Sequence, residues 1–326
     1  MTAETPALPV LQGVRATVLG ASGFIGAWVA RCARDAGADV TAIARTPAGA
    51  ARIERFVGGD VRVLEEDLDP TRMEALLART GAQIVFNMAG YGVDPTERDE
   101  ATARRINVDL VGAVCAALER SESDGWTGLR LVHVGSALEY GEARGDLNED
   151  TTEVATTLYG TTKLDGTREV RSAHSRGLAA ITARLFTVYG PGEHPGRLLP
   201  TLRAAGDGDD VIELTEGRQL RDFTYAGDVA EGVLRLASCT AHTPSVVNLA
   251  TGHLTSVRTV VKTYAEVLDI ARERLHFGAL PTRVEEMAHH PVNIERLRTL
   301  LGWVPSTTVR DGLRRTAASG ASGSGE

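Results

Sequence analysis

The run Gly20-Ala21-Ser22-Gly23-Phe24-Ile25-Gly26 decides the fold. It follows a short β-branched stretch at 16–20 and opens a helical pattern, so it reads as the turn between a first strand and a first helix. Glycine suits such a turn because the backbone must reverse tightly, approach a ligand closely and let the helix pack on the sheet. The helix that follows points its free N–H groups and the positive end of its dipole at whatever sits there, which favours a phosphate. The spacing is G-x-x-G-x-x-G, where the general dinucleotide fingerprint is G-x-G-x-x-G. Its weight therefore comes from its place directly after the first strand of an alternating series.

Outward from that turn, strands are expected at 16–20, 39–44, 61–65, 83–87 and 129–134, with helices starting near Gly23, Thr46, Pro70 and Thr96. A long helix at 155–176 and a strand at 179–185 follow. Strand and helix in alternation make βαβ units, so the fold class is α/β, a Rossmann-type doubly wound parallel sheet. From about Tyr189 the pattern loosens: 190–196 holds two prolines and three glycines, and 206–210 is polar and turn-rich. The stretch 246–249 reads as a strand returning to the first sheet. The expected division is a dinucleotide-binding domain at 13–188 with a return segment at 243–262, and a smaller α/β substrate-binding region at 189–242 and 263–316. The small, polar residues 317–326 are expected to form a disordered tail.

Composition excludes several classes. Thirty-five Lys and Arg against 43 Asp and Glu leave a net charge of −8 over 326 residues, and no more than two basic residues are ever adjacent, so a nucleic-acid partner is not expected. Cys32, Cys115 and Cys239 lie too far apart for metal-ligand spacing, which fits buried thiols in a reducing compartment and no metal. No charged-then-apolar leader opens the chain, and nowhere do about 18 apolar residues follow one another, so a cytoplasmic protein without a membrane span is expected. Only two of the 35 basic residues are lysines, Lys163 and Lys262.

Arg45 stands nineteen residues after Gly26, at the end of the second strand, in Ala42-Ile43-Ala44-Arg45-Thr46. No carboxylate is present there to hold a ribose 2′-hydroxyl, and an Arg suits a 2′-phosphate, so NADP(H) is favoured over NAD(H). Asp67 follows the third strand. It could accept from an adenine amino group or cap the helix from Pro70.

Tyr159 and Lys163 stand four apart in a helical pattern, and four residues turn through about 400°, so they share a face. A phenol with a pKa near 10 is a poor acid at neutral pH, and a neighbouring ammonium lowers it. Ser136, in Val134-Gly135-Ser136-Ala137-Leu138-Glu139-Tyr140-Gly141, falls at the carboxyl end of the fifth strand, where open α/β sheets bind ligands. No G-x-S-x-G elbow surrounds it, so it is not a nucleophilic serine. His133 points into the core.

With these motifs in order, the chain resembles the extended short-chain dehydrogenase/reductase family, the sugar-nucleotide epimerases, dehydratases and reductases. The resemblance spans 15–316. It rests on the glycine turn, Asp67, Asn87-Met88-Ala89-Gly90, Asn107, the set Ser136, Tyr159 and Lys163, Arg184-Leu185-Phe186-Thr187-Val188-Tyr189-Gly190-Pro191, Arg221 to Ala230, Asn248-Leu249-Ala250-Thr251-Gly252 and Leu301-Gly302-Trp303-Val304-Pro305.

The resemblance implies that Gly20, Ser22, Gly23, Phe24, Ile25, Gly26, Arg45, Asp67, Leu68 and Ala89 hold the cofactor. Lys163 would bind the nicotinamide ribose and lower the Tyr159 pKa. Tyr159 would give a proton to a carbonyl oxygen while NADPH delivers hydride, Ser136 would hydrogen-bond that oxygen, and Asn107 would hold the site or a relay water. Ala137, Arg197, Arg221 and Arg283 would meet the sugar nucleotide, with Arg221 and Arg283 on its diphosphate.

Dehydratases of the family carry an acid and a glutamate base directly after the catalytic hydroxyl, where this chain has Ala137 and Leu138. Glu139 is one place too far and, by alternation along an extended segment, should face away. Two reactions remain: reduction of the 4-keto group of a nucleoside-diphosphate 4-keto-6-deoxyhexose, and 4-epimerisation with tightly held NAD. Arg45 favours reduction, as does a likeness of 135–141 to the G-S-x-E-Y-G of GDP-4-dehydro-6-deoxymannose reductases. A non-catalytic NADP-binding scaffold is a third reading, disfavoured by the intact Ser136, Tyr159 and Lys163. Relatives of this kind pair as homodimers through helices at 96–120 and 155–176, although the stripe Ile106, Leu110, Val114 and Leu118 also suits a face packed on the sheet.

Overall fold

A computed structural model describes residues 8–94, 96–143, 145–240, 242–281 and 290–321. The chain begins as β1 (Arg15–Leu19), α1 (Phe24–Asp35), β2 (Asp39–Ala44), α2 (Pro47–Val57) and β3 (Arg62–Glu65). A 3-10 turn at Pro70–Arg72 leads into α3 (Met73–Thr80), then β4 (Ile84–Asn87). The next helix has three parts: α4 (Glu100–Arg104), a π-turn (Arg105–Asp109) and α5 (Leu110–Glu119). Then come β5 (Leu131–Ser136), a 3-10 turn (Ala137–Glu139), α6 (Leu158–Ser175) and β6 (Ala180–Leu185). The rest is β7 (Thr187–Tyr189), α7 (Leu198–Gly206), β8 (Ile212–Leu214), β9 (Leu220–Tyr225), α8 (Ala226–Ala237), β10 (Val246–Leu249), β11 (Leu254–Ser256), α9 (Val257–Val267), β12 (Leu275–Phe277), α10 (Glu295–Leu301) and α11 (Val309–Ala321).

Seven strands pair in parallel in the order β10-β6-β5-β4-β1-β2-β3. The order reverses between β1 and β4, which opens a crevice at their carboxyl ends, the place where such sheets take ligands. Because a parallel sheet is covered on both faces, its strands are apolar on both sides. Val18, Ala42, Phe86 and Val132 face α1, α2 and α8. Leu19, Ile43, Val85 and Leu131 face α3, α5 and α6. The stripe Ile106, Leu110, Val114 and Leu118 is 5% exposed or less and packs in that second layer. It is therefore spent within the chain and does not supply the dimer surface that sequence allowed.

A smaller sheet, β11-β9-β7, and the pair β12-β8 surround a third core with α7, α9 and α11. Two buried aspartates tie it to the larger sheet. Asp222 accepts from the N–H groups of Thr251 (3.0 Å) and Gly252 (2.7 Å), and Asp228 accepts from those of Ser306 (2.9 Å) and Thr307 (2.8 Å). The expected tail from 317 is corrected in part. α11 runs to Ala321, with the Ala317 side chain packed in the third core and its carbonyl taking a hydrogen bond from Arg203 at 2.7 Å, while 322–326 lie outside the described residues. Composition misled there, because one face of a small-residue helix is enough to dock it. Among the described residues no helix is long and apolar enough to cross a membrane.

The glycine turn is set by close backbone approach. Gly20 has φ 74°, and a Cβ on it would stand 2.7 Å from the Ala89 nitrogen; one on Gly26 would stand 2.1 Å from the Gly20 carbonyl oxygen. Gly26→Ala should therefore destabilise the chain by about 2 kcal/mol or more, in line with overpacking against an unyielding backbone. Gly208→Ala, where nothing lies within 4 Å, should change stability by less than about 0.5 kcal/mol. Urea denaturation midpoints of the two variants check this.

Candidate active site

The crevice at the heads of β1 and β4 has the features of an anion cradle. α1 is preceded by Gly23, which offers no side-chain cap, and has no acidic residue in its first turn, so its leading N–H groups are open. Ser22, Phe24 and Ile25 lie in the same turn and are part-buried. Ala89, 7% exposed, abuts Gly20 from β4. Arg45, at the end of β2, is exposed and makes no hydrogen bond or ion pair with any described residue. Asp69, not Asp67, caps the turn from Pro70, accepting from the Thr71 N–H at 2.9 Å. Asp67 is left exposed, 3.8 Å from Arg105, while the Leu68 side chain is buried in the core and offers the crevice only its backbone.

On the strand beyond β4, Ser136 is the last residue of β5, two residues beyond the expected end of that strand. Its Oγ accepts from the Leu138 N–H at 3.2 Å. Tyr159 and Lys163 come from the first turns of α6, which Thr157 caps. A Cβ on Gly160 would stand 2.4 Å from the Leu138 carbonyl oxygen, so that glycine lets α6 press directly on the turn after Ser136. This contact sets the Tyr159 phenol near the Ser136 hydroxyl, close enough for that hydroxyl to favour the tyrosinate. Gly92 lies along the tyrosine ring from the other side.

Asn107 sits in the π-turn, a common device for presenting a functional side chain. Its Oδ1 accepts from the Tyr91 N–H (3.0 Å), and its Nδ2 donates to the Tyr91 carbonyl (2.8 Å) and to the Thr162 Oγ1 (2.9 Å). It therefore clamps the loop after β4 to α6.

The electrostatics correct one expectation. Burial pushes the Tyr159 phenol above its ordinary value, with the Glu139 carboxylate as the next cause and Glu97 adding a little; Ser136 and Arg197 pull the other way. Lys163 is not among these influences. It is 1% exposed, and its Nζ donates to the Val134 carbonyl at 2.5 Å. Burial brings its pKa down to about 8, partly opposed by Glu139. His133 is buried as expected and stays neutral, held far below its usual range by burial and by Lys163. Phenol and ammonium share the helix face, but the ammonium is turned to the strand.

Glu139 is the residue the sequence misplaced. Alternation assumes an extended chain, and 137–139 is a 3-10 turn, so the side chain folds back beneath Ser136. Its Oε1 accepts from the Ser136 N–H at 2.7 Å, and its Oε2 pairs with the Arg184 Nε at 2.7 Å. Both partners of that pair are 0% exposed. Arg184 continues to Glu153 (2.6 Å), which pairs with Arg171 near the surface (2.6 Å). The usable sign was Gly135. A Cβ there would stand 2.5 Å from the Glu139 Oε1, so the strand leaves out a side chain where the carboxylate needs room.

On the substrate side, Ala137 is buried in the same turn, and Arg197 is half-exposed at the start of α7, close enough to act on Tyr159. Arg197 stands 3.6 Å from Glu193, whose carboxyl burial raises to about 7, so near neutrality the guanidinium is only partly neutralised. Sequence reading did not single out Glu193. Arg221 is half-buried on β9, and Arg283 lies outside the described residues.

Comparison with known proteins gives three findings. A sequence model described as the NAD dependent epimerase/dehydratase family matches residues 16–250. A dTDP-6-deoxy-L-talose 4-dehydrogenase (NAD(P)(+)) of Kitasatospora kifunensis is 30% identical over 318 residues, covering 94% of this chain and 95% of the relative, and a UDP-glucose 4-epimerase of Corynebacterium glutamicum is 27% identical, covering 89% and 91%. Among solved structures, that of MoeE5 in complex with UDP-glucose and NAD is 27% identical with a TM-score of 0.79, covering 94% of this chain and 99% of MoeE5.

Removing one partner of a buried ion pair leaves an uncompensated charge. Arg184→Met, which strands Glu139, should therefore cost about 3 to 5 kcal/mol in denaturant unfolding.

Proposed function

The chain belongs to the NAD dependent epimerase/dehydratase family, and from that membership we propose that it reduces the 4-keto group of a nucleoside-diphosphate 4-keto-6-deoxyhexose with NADPH. The observation that carries this reading is a neutral, half-buried phenol on the first turn of α6, set beside the Ser136 hydroxyl at the carboxyl edge of the sheet. A group whose pKa is raised holds its proton at neutral pH, as a proton donor must before it acts. Ala137 and Leu138 offer no acid or base for an elimination. The relative from Kitasatospora supports the choice, because dehydrogenation at position 4 run in reverse is reduction of a 4-ketone.

The cradle fits a nicotinamide dinucleotide. Gly20 to Gly26 would admit its pyrophosphate, Asp67 its adenine and Arg45 a 2′-phosphate, each for the geometric reason given above. When bound, that cofactor supplies the hydride for the carbonyl carbon. Tyr159 gives its proton to the carbonyl oxygen, and Ser136 donates a hydrogen bond to the same oxygen. Lys163, charged below about pH 8 and held against the Val134 carbonyl, would bind the hydroxyls of the nicotinamide ribose. Asn107 keeps α6 and the loop after β4 in register. Arg197 and Arg221, with Arg283, would face the diphosphate, where a guanidinium fork suits paired oxygens.

The epimerase from Corynebacterium and the NAD-bound MoeE5 structure favour a second reading, 4-epimerisation. A panel of nucleoside-diphosphate sugars and their 4-keto derivatives separates the two. Reduction consumes NADPH stoichiometrically, whereas epimerisation interconverts sugars with none added. Tyr159→Phe should keep cofactor binding and lose about 100-fold or more in kcat; unchanged turnover in this variant would remove the phenol from the mechanism. Arg45→Ala should raise KM for NADPH by about tenfold, the worth of a charged hydrogen bond, and leave NADH nearly unaffected. Equal effects on both cofactors would remove the 2′-phosphate assignment.

A further inference from the structure

The buried carboxylate behind the reacting groups has no part in the scheme above. Glu139 is one arm of a capping box: Ser136 caps the 3-10 turn through its Oγ, and Glu139 returns to accept from the Ser136 N–H. The Arg184 guanidinium fixes the other oxygen, and the vacant side-chain position of Gly135 admits the carboxylate. α6 closes the turn from the opposite side through Gly160. The carboxylate therefore has one allowed position, between the strand that carries Ser136 and the helix that carries Tyr159 and Lys163.

We propose that Glu139 is a positioning residue of this site: anchored by Arg184, it holds the Ser136 turn in shape and places one fixed negative charge behind Ser136, Tyr159 and Lys163. This rests on the reading of those three residues as the reacting centre. A negative charge there works on both titrating neighbours in one direction. It favours the ammonium of Lys163 and disfavours the tyrosinate, so the lysine stays charged and the phenol keeps its proton until a substrate oxygen draws on it. Among the described residues, the other charged or titratable groups acting on the pair are His133 from β5, Glu97 from the loop before α4, and Arg197 at the start of α7, while Arg184 from β6, backed by Glu153, faces Glu139 itself.

The test needs neither substrate nor cofactor, because the chain has only two lysines. Protein labelled with carbon-13 at lysine Cε gives two side-chain signals, and Lys262→Arg, at the exposed position, removes one and so identifies the other as Lys163, with Lys262 in the parent as the internal reference. The Lys163 midpoint should lie at about 8 in the parent. In Glu139→Gln it should fall by about one pH unit, the usual effect of losing an opposite charge at close range. Glu153→Gln also strips a carboxylate from Arg184, but one guanidinium further out, and should leave the midpoint in place. If Glu139→Gln does not fold, Glu139→Gln with Arg184→Met removes both buried charges and should show a smaller fall in the same direction, since the opposing guanidinium goes with the carboxylate. An unmoved midpoint, or an equal fall in Glu153→Gln, overturns the proposal. Because the midpoint is read on the free protein, failure of the reductase reading in the substrate panel does not decide this result, and the reverse also holds.

Discussion

Everything at the ligand end hangs on the contact between the backbones of Gly20 and Ala89, which leaves no room for a single carbon atom. That approach sets β1 beside β4 at the point where strand order reverses, starts α1 immediately beneath it through Gly26, and directs the loop after β4 toward Asn107. A side chain at either glycine would push the first helix off the sheet. With it would go the open N–H groups that make the crevice attractive to phosphate. The constraint is steric and local, which is why it is visible in so few residues.

A second layer of organisation is electrostatic. The chain uses Arg almost everywhere, and many of its guanidiniums are spent on surface pairs worth little, such as Arg120 with Glu74 or Arg168 with Asp165. Arg184 differs because neither it nor Glu139 touches water, so the pair is costly to break and has little freedom to move. Lys163 is the complementary case. A compact ammonium fits against the Val134 carbonyl in a space where a planar fork would not. The net negative charge of the chain is thus no guide to its ligand chemistry, since the positive groups that matter are placed singly.

The parts of the structure legible in sequence are those set by short-range rules. β2 and β10 fall where β-branched runs end at turn residues, the glycine turn falls between strand and helix, and Ser136, Tyr159 and Lys163 converge because a strand end and a helix face can each be read from spacing. What stayed hidden depends on contacts between distant segments. Glu139 was assigned the wrong side because the 3-10 turn is imposed by α6 pressing on it, and nothing within 135–141 announces that pressure. Asp69 took the capping role considered for Asp67, a choice made by a two-residue register that propensity does not resolve. The burial of Glu193 and the docking of Ala317 likewise arise from partners more than a hundred residues away or from the closing of a loop.

The loop after β7 joins the two ends of the crevice mechanically. Trp28 of α1 donates to the Pro191 carbonyl at 2.8 Å, and Arg52 of α2 donates to the Gly192 carbonyl at 2.6 Å. A few residues on, the same loop delivers Glu193 and Arg197 to the neighbourhood of Tyr159. The helices that frame the glycine turn and the side chains near Tyr159 thus share one short tether. Whatever free energy a ligand at one end spends in shifting that tether alters affinity at the other by the same factor in both directions, as linkage requires. A displacement of that one loop would be felt at both ends of the crevice.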